Sequence, residues 1–109
     1  MRILGFSKKW DKLSDIAFTT FRLPRQDKDW EKLEQVQVVY KPRSKDREVL
    51  GTATIVSKDP IWLSDITNLM AQMDGFNNAE DMRGWLFKAH NPVRLDHEPL
   101  NRLLVEWSK

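Results

Sequence analysis

Phe18-Thr19-Thr20-Phe21-Arg22-Leu23-Pro24-Arg25, then Val36-Gln37-Val38-Val39-Tyr40, then Lys41-Pro42-Arg43-Ser44-Lys45-Asp46-Arg47 stand close together, and their reading decides the fold. Ala17 to Leu23 reads as a strand. Its two-residue period sets Ala17, Thr19, Phe21 and Leu23 on one side and Phe18, Thr20 and Arg22 on the other. Pro24 ends the pairing because it has no N–H to donate. Glu34 to Lys41 reads as a second strand, in which Val36, Val38 and Tyr40 alternate with Gln35, Gln37 and Val39. Glu48 to Lys58, rich in Val, Ile and Thr, reads as a third. The seven residues Lys41 to Arg47 between them predict a hairpin tip, and Gly51 predicts a bulge or a close backbone approach.

Working outward, Met1 to Phe6 reads as a short opening strand, and Lys8 to Ser14 as one or two helical turns with Trp10 and Leu13 on one face. Arg25 to Lys32 reads as a charged loop in which Trp30 is the large apolar residue. After the third strand the period changes. Ser64 is placed to cap a helix carrying Ile66, Leu69, Met70 and Met73, and Gly75 to stop it through a left-handed residue. Asn77 with Glu80 predicts the start of a helix with Ala79, Met82, Leu86 and Ala89 on its face and Trp85 beside them. Asn91-Pro92 ends it, and Leu100 to Trp107 reads as a last strand with Leu103, Val105 and Trp107 on one side. The order predicts an α+β fold, a small curled sheet or barrel with helices over an opening, and one domain spanning 1–109.

With 40% hydrophobic and 31% charged residues, the chain has the balance of a globular domain. The five tryptophans, Trp10, Trp30, Trp62, Trp85 and Trp107, read mainly as core residues. The absence of cysteine excludes disulfides and thiolate zinc sites. No apolar run reaches membrane-span length, and Ile3 to Phe6 is too short for a signal-peptide core, so a cytoplasmic, soluble protein without a membrane partner is expected. Net charge is +2 but unevenly placed: residues 1–47 hold twelve Lys/Arg against seven Asp/Glu, and residues 48–109 six against nine. The first half therefore offers a modest basic field.

Thr19-Thr20-Phe21-Arg22-Leu23-Pro24-Arg25, Asp29-Trp30, Gln37-Val38-Val39-Tyr40-Lys41-Pro42-Arg43-Ser44-Lys45 and Asp74-Gly75-Phe76, in that order and spacing, resemble an ASCH domain of the PUA-like superfamily. The resemblance covers nearly the whole chain. It implies a small PUA-like β-barrel with flanking helices, and a cleft between them that takes RNA or modified nucleosides. The family's motif G-x-K-x-x-E-x-R, set with its arginine on Arg22, puts Asp15, Ala17 and Thr20 at the glycine, lysine and glutamate. Members that hydrolyse acetylated cytidine use a lysine, a threonine and an acid. Here Thr20 and Asp74 match the last two, but Ala17 stands at the lysine and has no group to act as a base. Lys12 is a nearby lysine that would have to substitute.

Residue by residue, Thr20 and Arg22 share a strand face, so a guanidinium and a hydroxyl are presented together to a phosphate or a base edge. The structural alternative is an Arg22 ion pair with Asp74 or Asp65. Asp74 reads either as an acid–base group facing Thr20 and Arg22, or as a turn residue bonding nearby backbone N–H groups. The tip holds Lys41, Arg43, Lys45 and Arg47 against one acid, Asp46; with Arg22 and Arg25 these form the expected phosphate-binding set. Tyr40 or Trp30 is placed to stack on a base. His90, His97 and the Asp96-His97-Glu98 run lack metal-site spacing, so no metal and no cofactor are expected. The leading expectation is a cytoplasmic RNA- or nucleoside-binding domain. One alternative is a small amidohydrolase acting on an acylated nucleoside such as N4-acetylcytidine, with Thr20 and Asp74 as catalytic candidates. The other is a protein-interaction domain built on an exposed Trp30 or Trp62.

Overall fold

The computed structural model describes residues 1–108. It contains five strands, β1 (Arg2–Phe6), β2 (Ala17–Arg22), β3 (Gln35–Tyr40), β4 (Glu48–Ile61) and β5 (Leu100–Trp107), and three helices, α1 (Asn68–Met73), α2 (Ala79–Ala89) and α3 (Pro92–His97). The strands form one mixed sheet in the order β1-β3-β4-β5-β2, so the fold is α+β. β1 runs parallel to β3; the other three pairings are antiparallel. β1 and β2 are the two edges, and among the described residues no ladder joins them.

β4 holds the sheet together. Its first half pairs with β3 and its second with β5, and the register slips once against each partner. At the first slip Val38 lies opposite Gly51 and Val39 opposite Val49, which leaves Leu50 as the extra residue of a bulge. Gly51 has φ +152°, and a Cβ there would come within 3.1 Å of the Trp107 ring. Of the two alternatives offered for Gly51, the bulge lies at the adjacent Leu50 and the close approach at Gly51 itself. Pro60 lies where β4 has lost β3 as a neighbour, so its missing N–H interrupts no second ladder.

Two apolar cores follow from the alternation. Phe18, Leu103 and Val105 point into one face of the sheet with Leu4, Phe6, Val36, Val38 and Ile55, and Trp30 from the 25–32 loop closes this core. Phe21 and Leu100 lie in the second, with Leu63, Ile66, Met82, Leu86 and Leu95 of the helical segment. β2 thus carries one core on each face. Thr20 and Arg22 continue the Phe18 row beyond the first core, toward the helices.

Several helix ends differ from expectation. Leu63–Asp65 is a 3-10 turn, and Thr67, not Ser64, caps α1 by accepting from Met70 N at 3.1 Å. Asn78, not Asn77, caps α2 by accepting from Asp81 N. In both cases the effective cap is the residue whose extended backbone brings its side-chain oxygen over the first free N–H groups. Gly75 stops α1 at φ +104°, with Phe76 N donating to Ala71 O. Asn91-Pro92 ends α2 and also starts α3. Asn91 accepts from Val93 N, and Pro92 takes a first-turn position where its missing N–H has no partner to lose.

Candidate functional site

A cavity of about 240 Å³ opens where the Phe18–Thr20–Arg22 row of β2 meets β1, α1 and α2. Its apolar walls include Phe6, Trp10, Phe76 and Trp85, and its polar lining includes Lys12, Thr20, Arg22, Asp74 and His90. Trp10 is the centre of the aromatic wall, with ring centroids 5.1 Å from Phe76 and 5.3 Å from Trp85, the latter edge to face. Of the two readings of Asp74, the structure bears out the one that sets it in a pocket with Thr20 and Arg22.

Arg22 takes neither of the carboxylates considered for it. Its Nη2 donates to Gly5 O of β1 at 2.6 Å and its Nε to Thr20 Oγ1 at 3.3 Å, while its guanidinium lies 4.8 Å from the Phe6 ring. The guanidinium therefore spans the gap between the two sheet edges, and among the described residues it has no ion pair. Burial pushes its pKa down to about 10, against the attraction of Asp74, so it stays cationic at neutral pH.

The ion pair goes to Lys12 instead. The 3-10 turn Asp11–Ser14 folds back along β2 and turns Lys12 inward, 7% exposed. Lys12 Nζ donates to Asp74 Oδ1 at 2.9 Å and to Thr19 O at 2.8 Å; Thr19 Oγ1 donates to the same Asp74 oxygen at 3.1 Å. Asp74, 5% exposed at the end of α1, thus binds side chains of the turn and of β2, and not the neighbouring backbone N–H groups of a turn residue. Burial lowers the pKa of Lys12, with Asp74 opposing and Arg22 assisting. Burial raises that of Asp74, opposed by Lys12, Thr19 and Arg22. Both shifts reduce the difference in proton affinity between the two groups. His90 is lowered by burial, by Arg22 and by Arg94, and is neutral at neutral pH.

Ala17 lies on β2 outside this cavity, and Lys12 brings an ammonium to the polar cluster from another element. Matching residues along the strand could not find it, because the turn's contact with β2 exists only in three dimensions. The aromatic wall was missed for the same reason: Trp10, Phe76 and Trp85 come from three separate segments.

The remaining candidates lie on two flanks. Lys41 and Arg43 line a second groove that shares Gly5, Phe6 and Ser7 with the cavity. Lys45 and Arg47 follow on the same tip, whose turns are closed by Ser44 N to Lys41 O and Arg47 N to Ser44 O. Tyr40 lines neither space; its ring is flanked by the ammonium groups of Lys9 at 5.0 Å and Lys41 at 5.3 Å. On the other flank, Arg22 and His90 also border a groove containing Arg25. Arg25 is held bidentate by Asp27 at 2.9–3.0 Å, which removes it from the expected set of free cations. Trp30 is 3% exposed, packed in the first core beneath Arg2 and Arg25, and so cannot be an exposed stacking or docking ring; Trp62 is 45% exposed.

Among the described residues no three His, Asp or Glu side chains gather as a metal site, and no helix is long and apolar enough to cross a membrane. Compared with protein-family models, curated proteins and solved structures, the chain matches none.

Proposed function

We propose that the cavity binds a single unstacked base or modified nucleoside, as an ASCH-like domain of the PUA-like superfamily would, in an open-edged version of that barrel. The observation that carries this reading is the convergence of Lys12, Thr20, Arg22 and Asp74 on a cavity walled by Phe6, Trp10, Phe76 and Trp85. Flat aromatic rings offer a face to any base, and each stacked base contributes about 1–3 kcal/mol. The polar cluster supplies hydroxyl and guanidinium donors and a carboxylate acceptor for the base edge. At about 240 Å³ the space suits one ring system better than a larger ligand, since drug-sized sites start at roughly 300 Å³. RNA in a single-stranded form presents such bases.

A second reading, hydrolysis of an acylated nucleoside, gains support from the Lys12–Asp74 pair. A buried lysine of lowered pKa is a candidate base, and a carboxyl of raised pKa a candidate proton donor. Thr20 would then orient or attack the acyl carbonyl.

One titration tests both readings: cytidine and N4-acetylcytidine are added to the protein while heat and released acetate are followed. Binding of either nucleoside, weakened about fivefold in Thr20→Val for the loss of one hydrogen bond of about 1 kcal/mol, is the expected result. Acetate release that disappears in Thr20→Val selects the hydrolase. Absence of binding and of turnover for both compounds contradicts the nucleoside pocket.

A further inference from the structure

We propose that the ligand is a single-stranded RNA whose backbone leaves the cavity on one side only, over Gly5–Ser7 and onto Lys41 and Arg43. The proposal rests on the nucleoside-pocket reading and adds a direction to it. Two grooves open from the cavity, and they differ in available charge. On the Arg25 flank the two arginines beyond Arg22, which sits at the cavity itself, are already neutralised: Arg25 pairs with Asp27, and Arg94 pairs with Glu98 at 2.9 Å and also donates to Pro24 O. An RNA phosphate there would have to displace a carboxylate. On the tip flank Lys41, Arg43, Lys45 and Arg47 have no ion pair among the described residues. Glu48, at the base of the tip, pairs with Lys9.

The tip is also held in place at the cavity mouth. Lys41 N donates to Phe6 O at 2.8 Å, and Lys41 takes a left-handed φ of +46° that turns the chain there. Pro42 packs so closely on Gly5 that a Cβ at Gly5 would lie 2.8 Å from its ring. The same Gly5 carries the carbonyl that Arg22 holds from across the gap. Gly5 therefore connects the polar cluster of the cavity to the basic tip. Phosphates following a base in the cavity would meet two unpaired cations at a fixed position, which favours binding because little ordering remains to be done.

The test uses fluorescein-labelled hexacytidylate RNA, followed by anisotropy over a range of salt concentrations, with cytidine titrated separately by calorimetry. In Lys41→Gln/Arg43→Gln the slope of log affinity against log salt is expected to shrink by about 1.4, for two phosphate contacts at roughly 0.7 each on a single strand. Cytidine affinity stays at the parent value. A charge-matched control that lines neither groove, Lys28→Ala/Lys32→Ala, is expected to keep the parent slope. All four substituted residues lie in loops outside both cores, Lys41 half-buried and the other three exposed, and retained cytidine binding reports that each variant is folded. An unchanged slope in the tip variant, or an equal loss in the control, overturns the one-sided path while cytidine binding preserves the pocket. Failure of cytidine to bind the parent protein overturns the pocket reading and the path with it.

Discussion

Lys12 and Asp74 lie 7% and 5% exposed in contact with each other, so each is tolerated inside because the other is there. Removing one leaves a buried charge without a partner. Lys12→Met is expected to lower unfolding free energy by about 3–5 kcal/mol, measured by urea denaturation. The double variant Lys12→Met/Asp74→Leu should recover most of that loss, because the orphaned carboxylate is gone as well. If Lys12→Met costs no more than the same change at the exposed Lys8, the pair is not what orders this wall. Within the site, Thr20 and Arg22 were legible in the sequence because a strand's period of two fixes which side chains share a face. Lys12 could be named only as a lysine near Ala17, because its inward direction depends on a 3-10 turn folding back over β2. Asp74 was legible as a polar residue beside a helix stop, but its partners lie 55 and 62 residues away and left no local trace.

The loop from Arg25 to Lys32 has no regular structure, and Asp29 ties it to the sheet. Asp29 accepts from Arg25 N, Trp30 N and Asn101 Nδ2 of β5, and pairs with Lys58 of β4 at 2.8 Å. Burial opposes its charge, but the bonds from Lys58, Asn101 and the two backbone N–H groups outweigh this and hold its pKa at about 2. A folded pKa below the unfolded one contributes stability that is present above the unfolded value of 3.8 and is lost as pH falls through about 2. Asp29→Asn is therefore expected to destabilise the protein at neutral pH by about 1–2 kcal/mol after solvent screening, and the gap to the parent should close near the acid end of that window. Melting curves with a gap that persists unchanged to about pH 2 would assign the effect to something other than this carboxylate's charge. At this scale the strands were readable almost to their ends, since Val, Ile and Thr alternation is a local signal. Helix starts were less so. Ser64, Thr67, Asn77 and Asn78 all have capping chemistry, and only the backbone path shows which oxygen sits over a free N–H. Proline after Asn91 ended one helix and began another, two outcomes consistent with the same dipeptide.

At the scale of the molecule, the sheet order β1-β3-β4-β5-β2 could not be read from strand positions, because the β1–β3 pair joins segments about thirty residues apart in parallel. That order places β1 and β2 at opposite edges, and Arg22 then spans the gap to Gly5, opening the cavity to the helices on one side and to the basic tip on the other. The five tryptophans report on this arrangement separately. Trp10 and Trp85 line the cavity, Trp30 is in the core, Trp62 is exposed elsewhere, and Trp107 packs against Gly51. The most direct measurement is a titration of the ¹⁵N-labelled protein with cytidine, following the five indole N–H resonances. A shift of Trp10 and Trp85 with Trp30, Trp62 and Trp107 unmoved is the predicted result. Five stationary resonances, or movement confined to Trp62, would contradict a nucleoside site between the sheet edges and the helices.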